Sequence, residues 1–146
     1  MFAAEVDLAA ATLVSVWDQA RERISTRLSA SQLRALLAVE EAPGVNLRRL
    51  AEALGMILSS ASRLCDRLVA AGLIDRESSR SDRREIALSL TPNGVRLLSE
   101  LRAERRRRLA EVLAGMSEPS RVALLRGLRD FTLVAEPAPQ RAVKPA

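Results

Sequence analysis

Asn46 to Gly72 reads NLRRLAEALGMILSSASRLCDRLVAAG, and Leu73 to Leu90 continues LIDRESSRSDRREIALSL. Asn46 has the side chain of a helix N-cap, and Gly55 stands where a helix Leu47–Leu54 would end in left-handed backbone. A further helix follows within a few residues and runs to Ala71-Gly72. Two short helices joined by a turn of about four residues are the signature of a helix-turn-helix. After Gly72 the apolar period changes. Leu73–Ser78 is predicted as a strand, Ser79–Arg83 as a polar turn and Arg84–Leu90 as a second strand. In the second strand Ile86, Leu88 and Leu90 alternate with Glu85, Ala87 and Ser89, which predicts one buried face. A hairpin directly behind a helix-turn-helix is a wing.

The second helix of the pair divides into two chemistries. Advancing about 100° per residue from Ala61 places Leu64, Cys65 and Leu68 on one side, the buried one. Ser59, Arg63, Asp66 and Ala70 fall opposite, with Ser62 and Arg67 on the flanks. Arg presents a planar fork that grips guanine edges or phosphates, and Ser bonds to either. The hairpin tip, Arg80-Ser81-Asp82-Arg83-Arg84, gathers three arginines around an aspartate that can orient one of them. Each feature alone suits a solvated surface. Together they predict a duplex-reading helix and a wing that meets the phosphate backbone or minor groove. The expected DNA contacts are Arg48, Ser59, Ser60, Ser62, Arg63, Arg67, Arg80, Asp82, Arg83 and Arg84.

Outward from this centre the chain is helical. Leu13, Trp17, Ala20, Ile24 and Leu28 mark one stripe of a long helix from Glu5 to about Leu28, with Trp17 as a core or dimer anchor. Ser29 and Gln32 are spaced for a capping box on the next helix, which buries Leu33, Leu36 and Leu37 and stops at Ala42-Pro43-Gly44. Thr91-Pro92 opens a helix to Gly115 with Leu98, Leu101, Leu109, Val112 and Met116 on its stripe. A last helix covers Glu118 to about Val134, before a proline-bearing tail expected to be disordered.

Composition narrows the function. The 146 residues are 48% hydrophobic but only 2% aromatic, so the core must be aliphatic, which favours helices. Basic residues outnumber acidic ones 23 to 18, and every basic residue except Lys144 is Arg. That balance is permissive for nucleic acid without proving it. There is no His and a single cysteine, Cys65, so neither a Cys/His zinc site nor an intramolecular disulfide is expected. No catalytic residue, metal or cofactor is predicted, because general acid–base chemistry lacks players here. No apolar run is long enough to span a bilayer, and no signal peptide opens the chain, so a cytoplasmic location is expected, nucleoid-associated when on DNA.

Leu50-Ala-Glu-Ala-Leu-Gly55, Ser62-Arg-Leu-Cys-Asp-Arg-Leu-Val-Ala-Ala-Gly-Leu-Ile74 and Asp82-Arg-Arg84, followed by Leu88-Ser-Leu-Thr-Pro-Asn-Gly94, resemble the MarR family of transcriptional regulators. Leu28-Ser-Ala-Ser-Gln-Leu33 fits too, so the likeness runs from Leu28 to Gly94; the flanking helices agree in length and placement only. The resemblance implies a mainly α fold with a small β-hairpin wing, a winged helix-turn-helix between long dimerisation helices. It implies a homodimer on a palindromic operator in double-stranded DNA, most often a repressor. Many such proteins leave DNA when a small-molecule effector enters the cleft between the DNA-binding and dimerisation parts, and others sense oxidants through cysteine. The domains expected are a dimerisation helix at 1–28, the DNA-binding core at 29–91, dimerisation helices at 92–135 and the tail at 136–146.

Four residues have competing readings. Cys65 is a small buried hydrophobe or a redox sensor; its buried face favours the former. Arg105 interrupts the stripe between Leu101 and Leu109, where it snorkels to the surface, meets a carboxylate, or with Trp17 binds an acidic effector. Its neighbours to Arg108 read as a solvated face paired with Glu104 and Glu111. Leu58 packs in the turn or touches a thymine methyl, packing being favoured. Ile57 occupies the position where relatives cap the reading helix with Ser or Asp, and Ser59 is expected to take over, starting the helix two residues later. The rival functions are a winged-helix protein-interaction module and a thiol-based regulator. Ile57→Ser is expected to raise the melting temperature or the operator affinity, and unchanged values in both assays would refute this reading.

Overall fold

The computed structural model describes residues 1–25, 28–78 and 85–136. In chain order the elements are α1 (Phe2–Ile24), α2 (Ala30–Glu41), β1 (Val45–Asn46), α3 (Leu47–Leu54), α4 (Leu58–Ala70), β2 (Ile74–Ser78), β3 (Ile86–Leu90), α5 (Pro92–Ala114) and α6 (Glu118–Ala135). The chain divides into a unit Met1–Arg108 and a unit Leu109–Ala146.

Local chemistry accounts for most boundaries in the first unit. Ser29 Oγ accepts from the Gln32 amide at 3.1 Å while Gln32 Oε1 accepts from the Ser29 amide at 2.8 Å, the reciprocal pair of a capping box. Asn46 Oδ1 accepts from the Arg49 amide at 2.8 Å to start α3, and Gly55 ends it at φ +63°. α4 starts at Leu58 with Ile57 as its N-cap and no side chain bonded to the freed amides. The expected displacement of the helix start to Ser59 therefore does not occur. The β-region backbone of Ile57 lets its carbonyl accept from Ser60 and Ala61, so backbone geometry alone opens the helix.

The sheet has three antiparallel strands in the order β1-β3-β2, with Val45 opposite Leu88 and Ile74 opposite Leu90. β1 was not legible as a strand, because two residues carry no periodicity; it exists because β3 offers it a free edge. Leu88 is buried and Leu90 half-buried, but Ile86 is exposed at 44%, so the buried face expected of β3 stops before the hairpin tip. The tip itself, residues 79–84, lies outside the described residues, as does the tail from 137.

The core joins Leu36 and Val39 of α2, Leu50 and Leu54 of α3, Leu64, Cys65 and Leu68 of α4, Ile74, Leu88, and Leu98 and Leu101 of α5. From α1 only Ala20 is buried, and the helix ends at Ile24, short of the Leu28 expected, although Leu28 itself is buried. Trp17 is 43% exposed and is not a core residue. The Glu40 carboxylate and Arg102 guanidinium hydrogen-bond to each other, tying α2 to α5. That contact holds the Glu40 carboxyl below its usual range. In the second unit Ser117 Oγ accepts from the Ser120 amide at 3.3 Å to cap α6, none of whose residues is buried.

Thr91 fastens the corner where α4, the sheet and α5 meet. Its amide donates to Leu73 O at 3.1 Å, its hydroxyl donates to Gly72 O at 2.6 Å, and the same Oγ1 accepts from the Gly94 amide at 3.0 Å. Gly94 is buried against this corner, and a Cβ there would stand 2.2 Å from Leu73 O. Ala in a helix is favoured over Gly by about 1 kcal/mol. The steric penalty wins here, because Leu73 O cannot retreat without breaking its bond from Thr91. Gly94→Ala should destabilise the protein by about 1–3 kcal/mol, read as a lower denaturant midpoint. A midpoint at or above that of the wild type would show that the corner yields.

Candidate nucleic-acid interface

α4 separates its faces as the helical projection requires. Ala61, Leu64, Cys65 and Leu68 are buried, whereas Ser59, Ser60, Arg63, Asp66 and Arg67 are exposed and Ser62 is half-buried. Arg48 is exposed at the start of α3. Among the described residues Arg48, Arg63 and Arg67 make no ion pair and no side-chain hydrogen bond. Arg63 and Arg67 are four residues apart on one helix, a like-charge spacing that costs a few tenths of a kcal/mol. Both line a hollow of about 300 Å³ with Ser31 and Ser60, floored by Met56 and Leu64. Two uncompensated guanidinium groups over serine hydroxyls form a surface suited to an anion. Arg80, Asp82, Arg83 and Arg84 lie outside the described residues, so the tip half of the expected contact set has no geometry here.

Arg76 was missed in the sequence. Its Nη2 donates to Asp66 Oδ1 at 2.5 Å and to the Ser62 carbonyl at 3.4 Å, joining β2 to the exposed side of α4. The face alone was legible: Arg76 lies two residues from the buried Ile74 and so shares its side of β2, whereas its partner on α4 had no signal in the sequence. Asp66 is thereby occupied in holding the wing's first strand to the helix. Cys65 behind them is buried, and burial pushes its thiol above the usual range, opposed by Arg76 and reinforced by Asp66. A thiol kept protonated at neutral pH is a poor nucleophile toward oxidants.

A second polar cluster sits where the C-terminal part of α1 meets the second half of α5. Glu104 is buried, and its carboxylate accepts from Arg107 Nη2 at 2.7 Å and Arg108 Nε at 3.0 Å, with Arg23 Nε at 3.5 Å. Arg108 also donates through Nη1 to Gln19 Oε1 at 2.9 Å. The pairing with Glu104 agrees with the sequence reading, and Arg106 and Arg107 are exposed as expected, whereas Arg108 is half-buried in the joint with Gln19 and Glu104. Arg105 places its guanidinium 3.9 Å from the centroid of the Trp17 ring, a cation–π contact. Its Nε is buried without a partner, and desolvation, with Arg102 nearby, lowers its affinity for the proton. The two residues expected at an effector site are therefore brought together, stacked on one another.

Helix-turn-helix, sheet and α4 face together define a winged helix-turn-helix protein. The profile of the MarR family matches residues 28–85, the stretch that holds α2, α3, α4 and β2. The chain is 27% identical over 111 residues to YfiV, an uncharacterized HTH-type transcriptional regulator of Bacillus subtilis (strain 168), covering 76% of this chain and 69% of that one. The crystal structure of RV1404 from Mycobacterium tuberculosis superposes with a TM-score of 0.85 at 29% identity, covering 92% of both chains. The transcriptional repressor CouR, solved on a 23-mer DNA duplex, superposes with a TM-score of 0.65 at 25% identity over 90% of this chain and 92% of its own. The chain thus has the fold of a MarR-family transcriptional regulator. No helix among the described residues is long and apolar enough to cross a membrane.

The arginines around Glu104 hold its carboxyl down to about 2 against an ordinary 4.5, hydrogen bonding from Arg107 being the leading cause. A carboxyl depressed on folding contributes stability above its unfolded value and loses it as pH falls through the folded value. The Glu104 contribution should therefore be complete above pH 4.5 and fade between pH 4.5 and about 2. Glu104→Gln should lower the melting temperature at pH 7 and close the gap to the wild type as the pH is lowered through that window. A gap that stays constant with pH would rule out the ionic account.

Proposed function

We propose that this protein is a homodimeric transcriptional regulator, a repressor, that binds a palindromic operator in double-stranded DNA with α4 and the wing. The observation that carries the reading is the exposed face of α4, where Arg63 and Arg67 stand without a protein partner among the described residues beside Ser59 and Ser60. An α-helix bearing arginines and short hydroxyls fits the major groove, and its N-terminal residues reach base edges. Arg80, Asp82, Arg83 and Arg84 would extend the contact to the backbone or minor groove. CouR, a repressor seen on DNA with this fold, supports the assignment.

Dimerisation is proposed through the terminal helices. α6 carries Leu124, Leu128 and Phe131 at helical spacing, all exposed, and α1 exposes Phe2, Val6, Leu8 and Val14. In a folded protein most of a helix's stability comes from packing its apolar face rather than from propensity, so these exposed faces call for a cover. Two-fold pairing covers it and matches a palindrome. The location that fits is the cytoplasm. Trp17 and Arg105 complete the reading as a site for an acidic small-molecule effector, since the ring and the half-buried guanidinium stacked on it offer an apolar face and a positive charge together.

A salt titration on duplex DNA decides between this and a winged-helix protein-interaction module. Log affinity should fall linearly with log salt by several units of slope, and a selected palindrome should outcompete random duplex by about 10³ or more. A flat titration favours the interaction module. A thermal-shift screen of aromatic carboxylic acids should find binders that lose their effect in Arg105→Gln; an undiminished shift in the variant would remove Arg105 from the effector site.

A further inference from the structure

α4 begins with two large apolar side chains in solvent. Ile57 is 71% exposed and Leu58 is 49% exposed, so the packing favoured for Leu58 on sequence grounds covers only half of it. Leu58 lies with Arg48, Asn46, Glu85 and Ile86 along a groove of about 350 Å³. On the other side of the helix start is the hollow lined by Ser60, Arg63 and Arg67. An apolar tip is thus set between a basic flank, Arg63 and Arg67, and one where Arg48 stands in the same groove as Glu85, at the end of the helix that would enter DNA. Ile at the cap also forgoes the side-chain hydrogen bond that Ser or Asp would supply to the first turn.

We infer that Ile57 and Leu58 read thymine: in each half-site they lie against the 5-methyl groups of T·A pairs in the major groove. The inference rests on the regulator reading above and names part of its specificity. Among the bases only thymine presents an apolar group on the major-groove edge. Against a methyl, Ile57 and Leu58 lose water at no polar cost. Against G·C edges they would bury donors and acceptors without partners, which discriminates against those pairs. The surroundings favour DNA over a second copy of this chain. Arg48, Arg63 and Arg67 outnumber the one acidic residue of the two hollows, Glu85, and this net positive charge disfavours a copy and attracts phosphate. Two side chains are also far less than the roughly 800 Å² per partner of a stable protein interface.

The experiment uses the full chain and a duplex selected from a random library, remade with deoxyuridine replacing one thymine at a time. Removing a contacted methyl should weaken wild-type binding about fourfold per half-site, the worth of one buried carbon group. Ile57→Ser and Leu58→Ala should each bind the thymine duplex less tightly, and the double variant should bind thymine and uracil duplexes equally. Their salt slope should stay that of the wild type, because no phosphate contact is lost. Of the two gains expected of Ile57→Ser on sequence grounds, the thymine contact leaves only the one in melting temperature, so this variant should melt no lower than the wild type while it binds less tightly, separating lost affinity from lost folding. Tight binding that ignores uracil at every position overturns the inference, as does a double variant that still prefers thymine. No binding to any duplex at low salt overturns the regulator reading with it.

Discussion

The corner at Thr91 is the constraint on which the arrangement of the first unit depends. One threonine bonds Gly72 and Leu73 behind α4 and the Gly94 amide at the start of α5. Gly72 at φ +72° turns the chain out of α4, and the missing side chain at Gly94 lets α5 begin directly on Leu73 O. The exit of α4, the start of β2, the end of β3 and the start of α5 are therefore held within one hydrogen-bonded knot. Because β2 is tied there and by Arg76 to Asp66, the base of the wing and the exposed face of α4 keep one orientation. A DNA-reading surface needs that rigidity, since contacts made by separate elements must arrive in register.

The exposed face of α4 is held by what lies beneath and beside it. Cys65, Leu64 and Leu68 anchor it to the core, and Asp66 is consumed by Arg76. What remains toward solvent is a basic, hydroxyl-bearing surface whose first turn is apolar. Both halves of that surface leave groups that water serves poorly, paired arginines in one and isoleucine and leucine in the other. A duplex offers phosphates and methyl groups to the same helix, which resolves both.

The polar joint of α1 and α5 works on a different principle. Glu104 is surrounded by arginines that would repel one another without it, so its charge is stabilised by the groups it holds together. Arg105, one residue on, turns the other way and lies on Trp17. Adjacent residues on one helix thus serve separate ends, an ionic lock and a cation stacked on an aromatic ring.

Caps, glycine stops and the buried stripe of α4 were legible in the sequence, because each depends on residues within about four positions. Ser29 with Gln32, Asn46, Gly55, Thr91 and Pro92 each act through the nearest turn of backbone, and the helical period assigns Leu64, Cys65 and Leu68 to one face whatever lies opposite. Pairings between distant residues were not legible. The β1 strand, the Arg76–Asp66 and Glu40–Arg102 bonds, the burial of Glu104 and the stacking of Arg105 on Trp17 join residues with no local signature. The start of α4 shows the boundary most sharply. Sequence by itself determined that Ile57 could give the first turn no side-chain hydrogen bond, since that is a property of its side chain. Only the tertiary structure decided that the helix begins there regardless and that Leu58 stands half in water, because exposure depends on which neighbours the folded chain brings near.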